Sequence, residues 1–312
     1  MAMTATETIV TGGAASRRRR GFPRRRGRAA GLPWILPTLI LSVGFIYYCV
    51  GYTGMISLYD WNGISPNPTP VGADNYAKLA GDGVVLLTLR HTVIYIVVTF
   101  VVEAVVGFVF AAMLHSKVKL GIVYKVLVFC PVIIAPSVMA PVFRKIFAAD
   151  GEVNQVLELV GLGALAQPWL AQSSTALGVI ILIGIWERTG LYFILYFAAM
   201  SQVDHEMIEA AWLDGAGNIR VLWSVVRPSV AGTTVALLVL QAIYTLKLFD
   251  VPFLVSQGGP SFSTEFLGTY IYRQGITQAH VGYAAALSIL LLVIALVLTL
   301  GLNTRRRREG SS

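Results

Sequence analysis

A polar segment that separates two long apolar stretches has the residue types needed to bind another protein. Residues 207–228 read MIEAAWLDGAGNIRVLWSVVRP, in which an acidic residue precedes two small ones. Small side chains let a second surface approach closely, and a carboxylate can pair with a basic group on that surface. The residues predicted to make this contact are Glu209, Ala210, Ala211, Asp214 and Gly215.

The same segment is predicted to form two short helices beneath the apolar stretches. The first, 206–214, ends at Gly215, because glycine suits the left-handed turn that closes a helix. The second, 218–226, ends ahead of Pro228, because proline disfavours helical geometry in the residue before it. An apolar face of the first helix is formed by Met207, Ala210, Ala211 and Leu213. The alternative is a helix resting on lipid, but such helices are usually rich in Lys and Arg, whereas this one is acidic.

A second group of polar residues lies inside the apolar stretches. An ionisable side chain at the bilayer centre costs about 2.5–3.5 kcal/mol on insertion scales, so it tends to face the bundle interior or a wet cavity. Two interpretations stay open. These residues form structural ion pairs, for which Lys247 and Asp250 have the right spacing on one helix face, or they line a path for a sugar-like substrate. The candidates for the path are Glu103, Trp186, Glu187, Tyr192, Gln241, Tyr244, Lys247 and Asp250.

Long apolar blocks supply the elements that position these groups. The chain of 312 residues is 56% hydrophobic and 13% charged, with a mean hydropathy of +0.70, whereas a soluble domain carries about a quarter charged residues. Six blocks are long enough to cross a hydrocarbon core of about 30 Å as helices. We therefore predict an all-α, polytopic membrane protein whose transmembrane domain, 32–304, has spans at about 34–57, 92–114, 122–143, 177–200, 231–254 and 284–302.

The basic residues orient these spans. Eight arginines lie within 17–28, four lie within 305–308, and five more basic residues lie in the loops after the second and fourth spans. The opposite loops hold only Lys78, Arg90, Arg144, Lys145 and Arg273. The positive-inside rule therefore predicts that both termini and the loop 204–228 are cytoplasmic. We expect 1–31 to be a disordered basic tail and 305–312 a second basic tail, both meeting anionic lipid rather than nucleic acid.

No motif in the sequence predicts an enzymatic or metal site. The chain has no GxxxxGK[ST] loop to bind and hydrolyse a nucleotide, and it has no HExxH, CxxC or GxSxG motif. The four histidines lack metal-ligand spacing, and Cys49 and Cys130 fall in apolar spans where they are expected to pack. No catalytic residue, metal site or bound cofactor is predicted.

The order of several short motifs resembles the permease subunits of bacterial ABC importers. The EAA loop of that family runs Glu-Ala-Ala, three residues, then Gly, with a Pro further on, and here Glu209, Gly215 and Pro228 match it. The segment Gly258-Gly259-Pro260 is similar to the longer, MalF-like member of the usual permease pair. Further stretches similar to the sugar-type branch, which carries maltose or glycerol phosphate, are 59–63, 72–76, 186–190, 249–250, 270–272 and 282–284.

This resemblance implies a type I ABC importer permease in the bacterial cell membrane. Such a chain forms half of the pathway for a sugar or related polyol and is not itself an enzyme. Its implied partners are a second permease, usually a different chain, a cytoplasmic ABC ATPase dimer that uses ATP and Mg, and an extracytoplasmic solute-binding protein. Glu209 and its neighbours would then be the residues that couple the permease to the ATPase.

Two other classes of membrane protein fit the sequence less well. A membrane-embedded enzyme, such as a lipid-linked glycosyltransferase, would be expected to carry an Asp-rich or metal-binding loop outside the membrane, and the sequence has none. A secondary transporter usually carries internal repeats and broken helices. Six spans with a polar loop suited to a partner argue against that class.

Overall fold

The computed structural model describes residues 32–115 and 121–309 of the chain. The predicted tail 1–31, Lys117, Lys119 and residues 310–312 lie outside the described residues. The chain divides into two units, 1–51 and 52–312. The described part of the first unit is a helical segment, and the second unit carries all of the candidate site residues.

Helices account for almost all of the regular structure in the described residues. The α-helices are, in chain order, α1 (Leu32–Ile56), α2 (Asp74–Gly81), α3 (Gly83–His115), α4 (Gly121–Ile133), α5 (Pro136–Ile146), α6 (Glu152–Leu159), α7 (Ala176–Met200), α8 (His205–Leu213), α9 (Asn218–Val221), α10 (Arg227–Ser229), α11 (Ala231–Leu246), α12 (Asp250–Ser256), α13 (Leu267–Tyr272) and α14 (Val281–Glu309). A 3₁₀ turn covers Gly163–Leu165, and π-helical turns cover Leu222–Val226 and Arg273–Thr277. Two short antiparallel strands, β1 (Tyr59–Asp60) and β2 (Thr69–Pro70), pair Tyr59 with Pro70 and Asp60 with Thr69.

Six candidate membrane spans can be counted among the described residues. The helices α1, α3, α7 and α14 are each long and apolar enough to cross a bilayer unbroken. Two bent pairs bring the number to six if each pair is one span: α4 with α5, bent by 94°, and Asn218–Ser229 with α11, bent by 62°. The predicted fold class, an all-α polytopic membrane protein, is confirmed.

The third span is not the continuous helix that was predicted over 122–143. It breaks between α4 and α5, where Ala135 is extended (φ −63°, ψ 138°) and Pro136 begins the next helix. A residue before proline is pushed out of the helical region, and proline itself is tolerated in a first helical turn. The break at this proline therefore follows from the local sequence.

The bounds of the other spans differ from prediction to varying degrees. The fourth, predicted at 177–200, is α7 within one residue. The second begins nine residues earlier than predicted, at Gly83. The fifth was predicted to run to Leu254, but α11 ends at Leu246 and a separate helix, α12, begins at Asp250. The last helix continues through Glu309, so the predicted tail at 305–312 is helical at its start.

Close helix packing in the second unit depends on small residues. A Cβ added at Gly107 in α3 would lie 2.6 Å from the Tyr192 Cβ and 2.9 Å from the Phe193 nitrogen in α7. A Cβ added at Gly190 in α7 would meet the backbone of α4, including Phe129 Cα at 3.0 Å. Glycine at such points lets the helix backbones approach each other, as is common between transmembrane helices. These contacts place the buried polar residues of α3 and α7 side by side.

Candidate functional site

The segment between α7 and α11, here called the coupling loop (204–228), begins with a well-formed helix. The Asp204 side chain accepts a hydrogen bond from the Glu206 backbone nitrogen at 3.0 Å, which caps the start of α8. At the other end, Gly215 has φ +79° and donates its backbone N–H to the Trp212 oxygen at 3.0 Å. The predicted left-handed turn at this glycine is confirmed.

A few apolar side chains anchor the coupling loop to the helices above it. Ile208, Val221 and Val226 are buried in one cluster with Tyr196 and Met200 of α7. Ala211 also packs against this cluster, so its small size serves contact with the chain's own core rather than an open surface. Ala210, by contrast, is exposed. Of the two small residues predicted to admit a partner, only Ala210 is thus exposed, and its role in docking stays a prediction.

The coupling loop exposes large apolar side chains. The predicted apolar face of α8 does not turn inward as a unit, since Met207 is 54% exposed and Leu213 is 89% exposed while Ile208 is the buried residue. Trp212, Ile219 and Trp223 are also more than half exposed. Glu209, Asp214 and Gly215, in the same segment, are exposed as well. Exposed apolar groups beside acidic ones are typical of a surface that another protein covers.

The second predicted helix of the coupling loop differs from expectation at its end. It is helical at Asn218–Val221, widens into the π-helical turn Leu222–Val226 and continues through Pro228 to Ser229. The prediction that Pro228 ends the helix was wrong. Pro228 lies in the last turn of this continuous stretch, directly after the π-helical turn, and local π-helical adjustments are one way in which a helix tolerates proline. The bend follows at Val230 instead.

Three of the predicted path residues meet in a buried polar cluster between α3, α7 and α11. Glu103, Tyr192 and Gln241 are each 0% exposed. The Gln241 Nε2 donates to the Thr99 hydroxyl at 2.6 Å, and the Tyr192 hydroxyl donates to the Gln241 Oε1 at 3.3 Å. Glu103 lies beside Tyr192 and within the field of Arg188. We call Thr99, Glu103, Tyr192 and Gln241 the polar cluster.

Charged groups around the polar cluster are close to one another, but they form no ion pair within the part of the chain that the structure describes. The Arg188 guanidinium lies over the Tyr244 ring, 3.7 Å from its centroid. Neither oxygen of Glu103 makes a hydrogen bond of good geometry within the described part of the chain, and the same holds for Oε2 of Glu187. A buried acceptor without a donor is costly. The polar cluster and its surroundings thus leave hydrogen-bond acceptors unused within the described part of the chain.

The remaining predicted path residues do not join the polar cluster. Trp186 is 40% exposed and packs edge-on against Phe143, 5.1 Å between ring centroids. Lys247 and Asp250 are exposed. The predicted pair between them is wrong: they form no ion pair within the described residues, because the helix ends at Leu246 and the face they were to share does not exist.

Sequence reasoning missed two residues of α3 that belong with the cluster. Thr99 accepts from Gln241, and Tyr95 is 0% exposed with a hydroxyl that has no partner among the described residues. Both lie on the same helix face as Glu103, at steps of four residues. Polar side chains repeating at that spacing in an apolar helix were the available signal.

Sequence reasoning also missed a cluster at the opposite end of α11 from the coupling loop. The Asp82 carboxylate accepts hydrogen bonds from the hydroxyls of Tyr270 at 2.7 Å and Tyr283 at 2.6 Å, and from the Val84 nitrogen at 2.8 Å. Burial raises the pKa of Asp82, but these hydrogen bonds together outweigh it and hold the pKa below its ordinary value. The described residues contain no group of three His, Cys, Asp or Glu that could hold a metal ion.

Long apolar helices with buried polar residues between them, joined by a loop with exposed apolar and acidic side chains, define a multi-pass membrane protein. Residues 103–308 match the family described as binding-protein-dependent transport system inner membrane component, and the chain belongs to that family. The chain is 31% identical to "Probable ABC transporter permease protein YurN" of Bacillus subtilis (strain 168), over 86% of this chain and 92% of the relative. It is 26% identical to "Multiple sugar-binding transport system permease protein MsmF" of Streptococcus mutans serotype c, over 85% and 90%.

The fold is also that of a solved transporter subunit. A chain of the bacterial alginate ABC transporter, crystallised in complex with an alginate pentasaccharide-bound periplasmic protein, superposes with a TM-score of 0.75. The match covers 88% of this chain and 93% of that chain at 23% sequence identity. The predicted ABC importer permease architecture is therefore confirmed.

Proposed function

We propose that this chain is one permease subunit of an ATP-driven importer for a sugar or related polyol. It forms half of the transmembrane pathway, and a separate ATPase drives it through the coupling loop. Relatives named for multiple-sugar transport, diacetylchitobiose uptake and sn-glycerol-3-phosphate transport support the substrate class. The chain is a transport subunit rather than an enzyme in this proposal.

The observation that carries the proposal is the exposed apolar surface of the coupling loop. Leu213, Ile219 and Trp212 project from the loop, although an apolar residue gains by leaving water. Buried anchors such as Ile208 and Val221 join the loop to α7. A protein that gripped the exposed side would therefore move the helices attached to the buried side.

Thermodynamic linkage between ATP binding and the permease conformation describes how binding of the ATPase to the coupling loop would drive transport. The partner ATPase binds ATP and Mg, and its closure would favour the permease conformation in which the loops lie closer together. A ligand shifts a conformational equilibrium only by its differential affinity for the two states, and the coupling is reciprocal. Glu209 would pair with a basic group of the ATPase, where loss of one partner of a buried charge pair costs about 2–5 kcal/mol.

The polar cluster supplies the substrate end of the proposal. Glu103 offers carboxylate oxygens that make no hydrogen bond of good geometry within the described part of the chain, and Gln241 and Tyr192 offer an amide and a hydroxyl. A polyol presents several hydroxyls that both donate and accept. Such a substrate would complete the hydrogen bonds that the cluster leaves unmade.

The proposed assembly contains four kinds of partner. A second permease, different in sequence, would complete the pathway, and an ABC ATPase dimer would bind both coupling loops. An extracytoplasmic solute-binding protein would deliver the substrate, and bacterial membrane lipid would surround the spans. The positive-inside count supports an orientation with both termini and the coupling loop in the cytoplasm.

Uptake by the reconstituted complex tests this function. The chain would be purified together with its second permease and ATPase, reconstituted in liposomes with ATP inside, and supplied with the cognate binding protein and radiolabelled sugars. We expect ATP-dependent accumulation of at least one neutral sugar or polyol. Two variants are compared with the wild type. Leu213→Glu changes the exposed surface of the coupling loop, and the control, Leu292→Ala, lies on α14 away from that loop.

The two variants give opposite expectations. Leu213→Glu would abolish uptake while the subunit still inserts in the membrane, and Leu292→Ala would leave uptake within about twofold, since surface substitutions away from key contacts change little. Normal uptake by Leu213→Glu would contradict the role of the coupling loop. Accumulation that continued without ATP would contradict the ATP-driven mechanism.

A further inference from the structure

The segment between α12 and α14 contains a small cavity that the proposed function does not use. The cavity measures about 260 Å³, and its walls include Phe253, Glu265, Thr269, Tyr272, Arg273 and Thr277. It lies past the end of α11, and hence at the opposite end of that helix from the coupling loop. The polar cluster contributes no residue to it.

An ion pair forms the charged wall of this cavity. The Arg273 Nη2 donates to the Glu265 Oε2 at 2.7 Å and to the Gln257 backbone oxygen at 2.7 Å. Gly258 has φ +78°, and a Cβ there would collide with the Glu265 carboxylate and lie 2.8 Å from the Arg273 Nη2. The glycine therefore serves both the turn and the close approach of the pair.

Each member of the ion pair has one buried polar atom without a hydrogen-bond partner among the described residues. Glu265 is 0% exposed, and its Oε1 has no hydrogen-bond partner among the described residues. The Arg273 Nε is likewise buried and unpartnered within that part of the chain. Buried polar atoms are nearly always satisfied, so each such exception needs an explanation. Here the two exceptions, the Glu265 acceptor and the Arg273 donor, belong to one ion pair in the wall of one cavity.

Aromatic rings form another wall. The Phe253 and Tyr272 rings are 4.9 Å apart with an edge-on geometry, and Phe249 stacks against Phe253 at 4.8 Å. Tyr272 is 37% exposed, so the wall is open to the outside. Ligand sites typically combine aromatic walls with a few convergent polar groups.

The surrounding loop is held in shape by its own side chains. The Thr264 hydroxyl donates to the Gly259 oxygen at 2.8 Å and lies 2.7 Å from the Ser256 hydroxyl. The His91 Nδ1 of α3 lies 2.9 Å from the Glu265 backbone oxygen. These contacts fix the ion pair against both the loop and α3, which preorganises the cavity for a ligand.

We propose that this cavity is a second binding site, separate from the polar cluster, for one ring of a neutral sugar. The sugar hydroxyls meet the polar wall formed by Glu265 and Arg273, while a C–H face of the ring packs on Tyr272 and Phe253. The ion pair is internally neutral, which favours a neutral hydroxylated ligand over a charged one. A volume just below the range of about 300–1,000 Å³ for drug-sized ligands suits a single ring. The inference rests on the proposed function only for the choice of sugars as the ligand class.

Protection of an engineered thiol tests the site. Cys49 and Cys130 would be replaced by serine, and either Thr277→Cys, in the cavity wall, or its neighbour Ile276→Cys, 69% exposed in the native chain and outside the wall, would be introduced into the assembled complex. A methanethiosulfonate reagent would then be added with glucose, galactose or N-acetylglucosamine, or with glycine betaine, which has no hydroxyl. At a sugar concentration about ten times its dissociation constant, mass action predicts modification of Thr277→Cys about tenfold slower.

The controls make each outcome decisive. We expect no protection of Ile276→Cys by sugar, none of Thr277→Cys by glycine betaine, and at least a fivefold loss of protection, as an order-of-magnitude expectation, when Tyr272→Ala is added. Equal rates with and without every sugar would overturn the site, as would a Thr277→Cys thiol that never reacts because a partner covers it. If sugars did not protect the Thr277→Cys thiol although ATP-driven uptake was normal, the second binding site would be refuted and the proposed function would stand. Absence of uptake by the wild-type complex would refute the proposed function.

Discussion

The two ends of α11 are built in different ways. The coupling loop is attached through apolar anchors such as Ile208 and Val221, and it leaves Leu213 and Ile219 exposed. The segment past α12 is instead held together by side-chain hydrogen bonds and by the Arg273–Glu265 ion pair. The first surface leaves large apolar side chains exposed, whereas the second is held by contacts within the described chain. This difference fits the proposal that a partner moves the coupling loop while the segment past α12 stays preorganised for a ligand.

The largest predicted difference in stability between the two ends of α11 comes from two glycines that have nearly the same φ. Gly215 has φ +79° and nothing within 4 Å of an added Cβ, while Gly258 has φ +78° with the ion pair against it. Gly215→Ala should cost about 1–2 kcal/mol from the left-handed conformation alone. Gly258→Ala adds the disruption of a buried pair, which typically costs about 3–5 kcal/mol. Thermal unfolding of the two purified variants measures this, and equal shifts in Tm would contradict the contrast.

A second pair of variants separates anchoring from docking within the coupling loop. Ile208→Ala removes a buried anchor and should lower the free energy of unfolding by about 2–4 kcal/mol. Leu213→Ser removes an exposed side chain, so its own stability should change by less than about 0.5 kcal/mol. Its affinity for the ATPase should nevertheless fall by about 2 kcal/mol, or roughly thirtyfold, if Leu213 is a central contact. Measuring both the Tm and the affinity for the ATPase, the latter by pull-down titration, distinguishes loss of stability from loss of docking. If the Leu213→Ser variant bound the ATPase normally, Leu213 would not be part of the docking surface.

The charge of Glu209 gives a smaller and more specific effect. Glu209 is exposed on α8, so Glu209→Ala should leave folding and insertion unchanged. It should lower uptake because a basic group of the ATPase loses its partner, at a cost of about 2 kcal/mol. Glu209→Asp should retain part of the activity, and it serves as the matched control. Identical uptake rates for the wild type and Glu209→Ala would remove this residue from the interface.

The smallest predicted effect is at the opposite end, where Asp82 receives two tyrosine hydroxyls. Its pKa lies below the ordinary value, so its contribution to stability is present above the ordinary carboxyl range and is lost as pH falls through the folded-state pKa. Asp82→Asn should therefore lower stability by about 1 kcal/mol at pH 7, with the difference from wild type narrowing in acid. Tm measured from neutral to acidic pH tests this, and a difference that widened as pH fell would reverse the sign of the argument.

Much of this architecture could be predicted from the sequence because membrane spans are encoded locally. The apolar block 177–200 has no internal breaker, and α7 matches it within one residue. The block predicted at 92–114 started too late, since Arg90 was assigned to a loop whereas α3 begins at Gly83. In the structure His91 is buried and contacts the Glu265 backbone oxygen, a partner 174 residues away that local sequence does not reveal.

The candidate sites show the same limit. The exposed surface of the coupling loop was predicted from residue types, but the sequence could not separate Ile208, which faces inward, from Leu213, which faces outward. Gln241 and Tyr192 were predicted as polar groups in spans, whereas their joint contact with Thr99 depends on how α3 and α11 pack. The predicted pairing of Lys247 with Asp250 was wrong because the helix breaks between them, and no strong signal in the local sequence marks that break. Long-range packing thus decided what helical spacing alone could not.

Photo-crosslinking from the coupling loop tests the central claim most directly. A photoreactive amino acid would replace Leu213 in the chain expressed with its partners in native membranes, and adducts would be identified by mass spectrometry. The account predicts a covalent adduct with an ATP-hydrolysing subunit, whose yield changes when ATP is added, and none from the same probe at Leu292 on α14. Adducts with lipid alone, or none at all, would contradict it.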